Sequence, residues 1–128
     1  FGDTTRHSIL GNRFCAPNLR VNWSFAQTEA GQARMALIRA LAALRHELPV
    51  FSAGEVVYPA HAREDAVIVF CRADKRERVC VAVNMTNEPQ TVRLPLRFGE
   101  ALLSRGAAAE ADCMKMEPYG IFIARCEA

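Results

Sequence analysis

The chain lacks CxxC, HxH, HExxH and GxSxG spacings, and it has no glycine-rich phosphate loop. Zinc, serine-nucleophile and nucleotide chemistry depend on such clusters, so none of the three has a foothold in this sequence. His7, His46 and His61 stand far apart, and no metal or other cofactor is expected. No apolar run approaches the ~20 residues of a membrane span, so no membrane partner is expected either. An excess of one charge is also missing: 16 basic residues face 14 acidic ones, for a net charge of +2. The run Asp74-Lys75-Arg76-Glu77-Arg78 is mixed in sign. It reads as a solvated hairpin tip, and no nucleic-acid partner is expected.

Cysteine is present but unpatterned. The five positions are Cys15, Cys71, Cys80, Cys113 and Cys126, an odd count that does not make a disulfide framework. Cys71 and Cys80 are placed to face each other across a hairpin centred on Lys75-Arg76, as buried free thiols in neighbouring strands. That reading suits a reducing, cytoplasmic compartment. The chain opens at Phe1 with no charged segment leading into an apolar core, and it reads as a piece of a longer protein.

What is there describes a globular fold. The 128 residues are 51% hydrophobic and 23% charged, which fits one ordinary domain. Residues 1 to 26 are punctuated by Gly2, Gly11, Asn12, Pro17, Asn18 and Asn22, the composition of a long loop. A helix is predicted over 28 to 47, with Thr28 as N-cap and Glu29 in the first turn. Leu37, Leu41, Leu44 and Leu48 form its apolar stripe, and Arg34, Arg39, Arg45 and Glu47 its wet side. Pro49 stops it.

From Gly54 onward the pattern changes to short strands: Val56 to Tyr58, Ala66 to Arg72, Arg78 to Asn84, Thr91 to Leu96, Ala101 to Ser104 and Tyr119 to Arg125. Cys113 to Met116 is a further candidate, and Glu117-Pro118 reads as a turn. This spacing predicts an antiparallel sandwich. Val67, Val69, Val79, Val81 and Ile121 are expected in its core, some of them under the helix, and Phe70 and Phe122 look like core as well.

The junction Met35 to Glu55, MALIRALAALRHELPVFSAGE, resembles one found in the α-amylase superfamily of glycoside hydrolases. In that family the last helix of the catalytic (β/α)8 barrel passes into a small C-terminal β-domain. The matching features are Leu44-Arg45, His46-Glu47, Pro49, Val50-Phe51 and Gly54-Glu55. The strand–turn–strand from Ala66 to Asn84, then Asn87-Glu88-Pro89 and the closing Met116-Glu117-Pro118-Tyr119-Gly120-Ile121-Phe122, are similar in order. Phe1-Gly2-Asp3 corresponds to the end of the eighth barrel strand, although the Glu usual after it is replaced by Thr4.

The resemblance implies a mainly β fold with one long N-terminal helix. Residues 1–50 would be the end of the catalytic barrel, a long loop and last helix, and 51–128 a C-terminal antiparallel β-sandwich. It implies a parent that is a retaining α-glycosidase or α-glucan transferase, acting on starch-like or malto-oligosaccharide substrates. The family's Asp, Glu and Asp lie on earlier barrel strands, so no catalytic residue is assigned here and the chain alone is expected to be inactive. Its partners would be the rest of the barrel and, through the parent, an α-glucan.

Asp3, His7, Arg20 and Trp23 are the candidate substrate-binding residues. The first three carry hydrogen-bonding groups suited to sugar hydroxyls, and an indole suits the apolar face of a pyranose. A polar loop bonded to itself and a Trp buried on the barrel are the bland alternatives. Two other classes remain open. One is a free-standing carbohydrate-binding β-sandwich module, disfavoured by the lack of Trp after residue 54. The other is a generic interaction domain, which leaves the helix and long loop without a role.

Overall fold

The computed structural model describes residues 23–127. The chain divides into two compact units after Ala42, and each is treated by itself. The long loop expected over residues 1 to 26 falls outside the described residues up to position 22.

In the first unit, Trp23–Gln27 is one turn of 3-10 helix leading into α1 (Glu29–Glu47). Thr28 acts as the expected cap: its Oγ1 accepts the Gly31 N–H at 3.0 Å and donates to the Phe25 carbonyl at 2.7 Å. A Cβ on Gly31 would lie 1.9 Å from that same carbonyl oxygen, so only glycine lets the turn close this tightly. The guanidinium of Arg34 stands 5.3 Å from the centre of the Phe25 ring. Arg34 and Arg39 are exposed as expected, and so are Arg45 and Glu47 beyond the division.

The helix ends where proline predicts, but the chain does not pass straight into a strand. Pro49 (φ −56°, ψ −26°) opens a second helical turn, α2 (Val50–Ala53). Proline lacks an N–H yet has a φ suited to a helix start, so it ends one helix and begins another. Gly54 then lies against the α2 backbone, where an added Cβ would be 2.6 Å from the Val50 oxygen and 2.9 Å from the Ala73 oxygen.

Six strands follow: β1 (Glu55–Val57), β2 (Val67–Ala73), β3 (Arg78–Asn84), β4 (Gln90–Arg93), β5 (Arg97–Glu110) and β6 (Cys113–Glu127). The expected antiparallel, mainly β fold with one long helix is present. Instead of two separate sheets, however, the strands form one continuous curled sheet ordered β1-β2-β3-β6-β4, with β5 also paired to β6. Strands expected to be short are fused: Ala101 to Ser104 is part of the 14-residue β5, and Cys113 to Met116 and Tyr119 to Arg125 are two halves of the 15-residue β6.

The curl has a local cause. Met116 pairs with Ala107 and Ile121 with Arg105, so the four residues 117 to 120 lie opposite Gly106 alone. Glu117-Pro118 is therefore a bulge inside a strand, not a turn between strands. Pro118, which has no N–H to give, sits in the unpaired stretch. Tyr119 (φ 56°) and Gly106 (φ 59°) both adopt left-handed backbone there. A Cβ on Gly120 would be 2.4 Å from the Gly106 oxygen. Below the bulge β6 pairs with β4, and above it with β3.

The curl encloses the main core. Val67, Val69, Cys71, Cys80, Ala82, Val92, Met114, Met116, Phe122 and Ala124 are buried on the inner face. Phe122 meets Phe98 edge-on, with centroids 5.6 Å apart and planes at 86°. Val79, Val81 and Ile121 point to the other face, where Val79 is buried with Val50 of α2 and Val81 and Ile121 are partly buried beside that cluster. The expectation that part of the list would lie under the helix is borne out for Val79, with Val81 and Ile121 on the same face. Phe70 differs: it is only half-buried, on the outer face. Cys71 and Cys80 are register partners, and the four described cysteines are free thiols.

Candidate functional site

Strand alternation puts Ile68, Phe70 and Arg72 of β2 outward, opposite Val83, Val81 and Val79 of β3, which in turn face Ile121, Ile123 and Arg125 of β6. A sheet with only one dry face would show polar residues at most of these positions. Here seven of the nine are apolar, so the sheet is built to be covered on both sides.

Only one end of this outer face is covered within the second unit. Val50 is fully buried with Val79 and Ile123, and Leu44, Leu48 and Phe51 pack around them. Arg72 pins α2 in place, its Nε donating to the Val50 oxygen at 3.3 Å. At the other end Ile68 is 48% exposed, and Phe70, Val83 and Ile121 are half-buried. Met85, two residues beyond Val83 in the chain, and Tyr119, in the bulge, are 57% and 65% exposed. Their neighbourhood is fixed by backbone bonds from Met85 N–H to Ala66 O (2.9 Å) and from Tyr119 N–H to Thr86 O (3.0 Å). Contiguous apolar surface of this kind marks an interaction face.

A polar knot holds that end rigid. Asn84 is buried, and its Nδ2 donates to the Glu88 oxygen at 2.7 Å and the Glu117 oxygen at 2.9 Å. Its Oδ1 accepts from the Thr86 N–H and hydroxyl at 2.9 and 2.8 Å. The bulge of β6 is thereby tied to the β3–β4 turn.

At the opposite end a cleft of about 820 Å³ is lined by the β2–β3 turn, the start of β5 and the end of β6. Arg125 crosses it, with Nε 3.2 Å from Glu77 and a second bond to Glu100. The Asp74 carboxylate accepts the Glu77 and Arg76 N–H groups at 2.9 and 2.7 Å, which holds its pKa below the usual carboxylate value. The turn is therefore the solvated, mixed-sign tip expected of it.

Of the candidate sugar-binding residues, Asp3, His7 and Arg20 lie outside the described residues. Trp23 stands in the 3-10 turn, 74% exposed, and the described residues gather no site around it. Among the described residues no cluster of His, Cys, Asp or Glu suits a metal ion. No helix among them is long and apolar enough to cross a membrane. The sequence places Val79, Val81 and Ile121 in the core, some of them under the helix, but gives Ile68 and Val83 no buried role. The signal was present in Ile68, Phe70, Val79, Val81 and Val83, apolar at the alternate positions.

Residues 66–125 match a family model described as a β-galactosidase C-terminal domain. Among solved structures, trehalulose synthase MutB from Pseudomonas mesoacidophila MX-45 superposes with a TM-score of 0.63 at 26% identity, over 70% of this chain and 17% of that one. The chain matches the C-terminal part of α-amylase-superfamily enzymes. Isomaltulose synthase from Erwinia rhapontici NX5 shares the fold at 19% identity, with a TM-score of 0.63 over 70% of this chain and 17% of its own. The Klebsiella sp. LX3 isomaltulose synthase does so at 22% and 0.60, over 69% and 16%. No curated protein matches by sequence. The chain thus spans about one-sixth of the length of the α-amylase-superfamily enzymes it resembles.

Proposed function

We propose that this chain closes a glycoside hydrolase or transglycosylase of the α-amylase superfamily, acting on α-glucosidic bonds of starch-like or malto-oligosaccharide substrates. Residues 1–50 are the end of its catalytic barrel, a long loop and last helix, and 51–128 its C-terminal β-domain. The domain's task is structural: the open end of the outer face, at Ile68, Phe70, Val83 and Ile121, packs on the rest of the barrel. The observation carrying this reading is that face, apolar and half-covered, on a chain whose matched part covers only 17% of the enzymes it resembles.

Substrate choice rests on the fold resemblance, and a shared fold hosts many chemistries. The matched β-galactosidase domain and the matched sucrose-isomerising synthases already belong to different enzymes. Catalysis belongs to the barrel, where a retaining enzyme needs two carboxylates ~5 Å apart. Asp3, His7, Arg20 and Trp23 stay proposed as substrate contacts at the barrel's edge, and the free thiols suit a cytoplasmic setting. The test is an activity assay on starch, maltodextrin and pullulan. The longer protein should release reducing sugar and the chain alone none. Turnover by the chain alone that disappears on changing Asp3 or Asp112 would overturn the proposal.

A further inference from the structure

The cleft at the β2–β3 end has no part in the packing of the domain. Most of its acids are engaged: Glu77 and Glu100 by Arg125, and Asp74 by the N–H groups of Arg76 and Glu77. Its other cations are not. Lys75, Arg76, Arg78 and Arg97 all line the cleft, and none of them makes an ion pair among the described residues. They come from three elements, the β2–β3 turn and the first residues of β3 and β5. Glu127, the register partner of Arg97, stands at the rim.

Arg78 is the informative member of the set. Strand alternation puts it on the inner face with Cys80 and Ala82, at the end of a row that is otherwise apolar and buried. It is half-buried, with no carboxylate or carbonyl bonded to it among the described residues. A guanidinium drawn partly out of water costs free energy until an acceptor meets it. Opposite it, the pairing of β5 with β6 breaks between Phe98 and Ala101, so Gly99 and Glu100 stand out of register on the cleft wall. Bulges recur beside binding sites because they open the ladder and re-aim what lies next to it.

We propose that this cleft binds a small phosphate dianion, as a phosphate monoester or the free ion, with Arg78 as its inner donor and Arg97 and Lys75 closing on it from the rim. The lining charges nearly balance, so the cleft has no long-range field to gather a polyanion. What it offers is unengaged donors at short range. The planar fork of a guanidinium meets two phosphate oxygens at once, and a phosphate has a third for the lysine. The donors are side chains, so no glycine-rich loop is needed. A volume of about 820 Å³ falls within the roughly 300–1,000 Å³ of small-molecule pockets, with room for the sugar of a hexose phosphate.

The test is an amide NMR titration of the full chain at about pH 8, where phosphate is a dianion. Inorganic phosphate and glucose 6-phosphate are added separately, with chloride holding the ionic strength constant. Saturable shifts should be confined to the cleft, at residues 73–78, 97–100 and 125–127. Arg78→Ala should weaken binding at least about tenfold, the worth of one charge-assisted hydrogen bond. Arg93→Ala, which removes an exposed arginine paired with Asp112 outside the cleft, should leave it unchanged. If Arg78→Ala does not fold, Arg97→Gln at an exposed position must weaken binding in its place. Tighter binding of the ester assigns the cleft to a sugar phosphate, and equal or tighter binding of the ion assigns it to free phosphate. Shifts that never saturate, that are as large at Arg93 and Arg105 as in the cleft, or that survive Arg78→Ala would overturn the site. A tighter hold on a glutamate-rich peptide would also overturn it, by making the cleft a protein-docking groove.

Discussion

Phe122 and Ile123 are adjacent in β6 yet anchor opposite cores. The Phe122 ring stands edge-on to Phe98 inside the curl, and Ile123 packs with Val50 and Val79 beneath the helical turn. Truncation should therefore cost stability on both sides of one strand. Phe122→Ala is expected to lose about 3–5 kcal/mol and Ile123→Ala about 2–5 kcal/mol, read as shifts in the urea midpoint. A negligible loss at Ile123 would mean that the helix end does not seal this face.

Asn84 joins the bulge of β6 to the β3–β4 turn through four hydrogen bonds. Asn84→Ala leaves buried carbonyl and N–H groups without partners, at about 1–3 kcal/mol for each group that water cannot reach. Asn84→Asp keeps the acceptor side but turns a buried carboxylate oxygen toward the Glu88 and Glu117 carbonyls, so it should fall at or below the alanine variant. Thermal melts of the three proteins check that order.

Asp74 supplies a pH-dependent contribution whose sign follows from its hydrogen bonds. The N–H groups of Glu77 and Arg76 favour the charged carboxylate in the folded state. Its folded pKa thus lies below the ordinary 3.8, and the stability it adds is present above that value and lost as pH falls through the folded one. Asp74→Asn should flatten the melting-temperature profile below about pH 4. An unchanged acid limb would show that the turn contributes nothing to it.

The sequence was most legible where several independent rules pointed to the same element. Thr28, Pro49 and the leucine spacing placed α1 to within a residue, because cap, breaker and period agree there. The pairing of Cys71 with Cys80 followed from a hairpin centred on Lys75-Arg76. The long β6 was not legible, since Pro118 reads as a strand end. It is tolerated only because residues 117 to 120 face a single glycine, which is a tertiary fact. The outer face was half legible: Val79, Val81 and Ile121 were recognised as apolar. Their division from Val67 and Val69 depended on knowing that both sides of the sheet are dry. Of the candidate sugar contacts, Trp23 alone lies within the described residues, in an exposed turn.

The central claim is that the open end of the outer face is covered by the remainder of a larger enzyme, and Ile68 tests it most directly. Ile68→Glu should be compared in this chain alone and in the longer protein, by the thermal unfolding of each. Half-exposed in the chain alone, Ile68 should tolerate the change within about 0.5 kcal/mol. In the longer protein the same glutamate would be an unpaired buried charge, and its melting temperature should drop clearly below that of the unaltered protein. Equal, small effects in both proteins would contradict the account, because they would leave Ile68 in water with the barrel docked elsewhere.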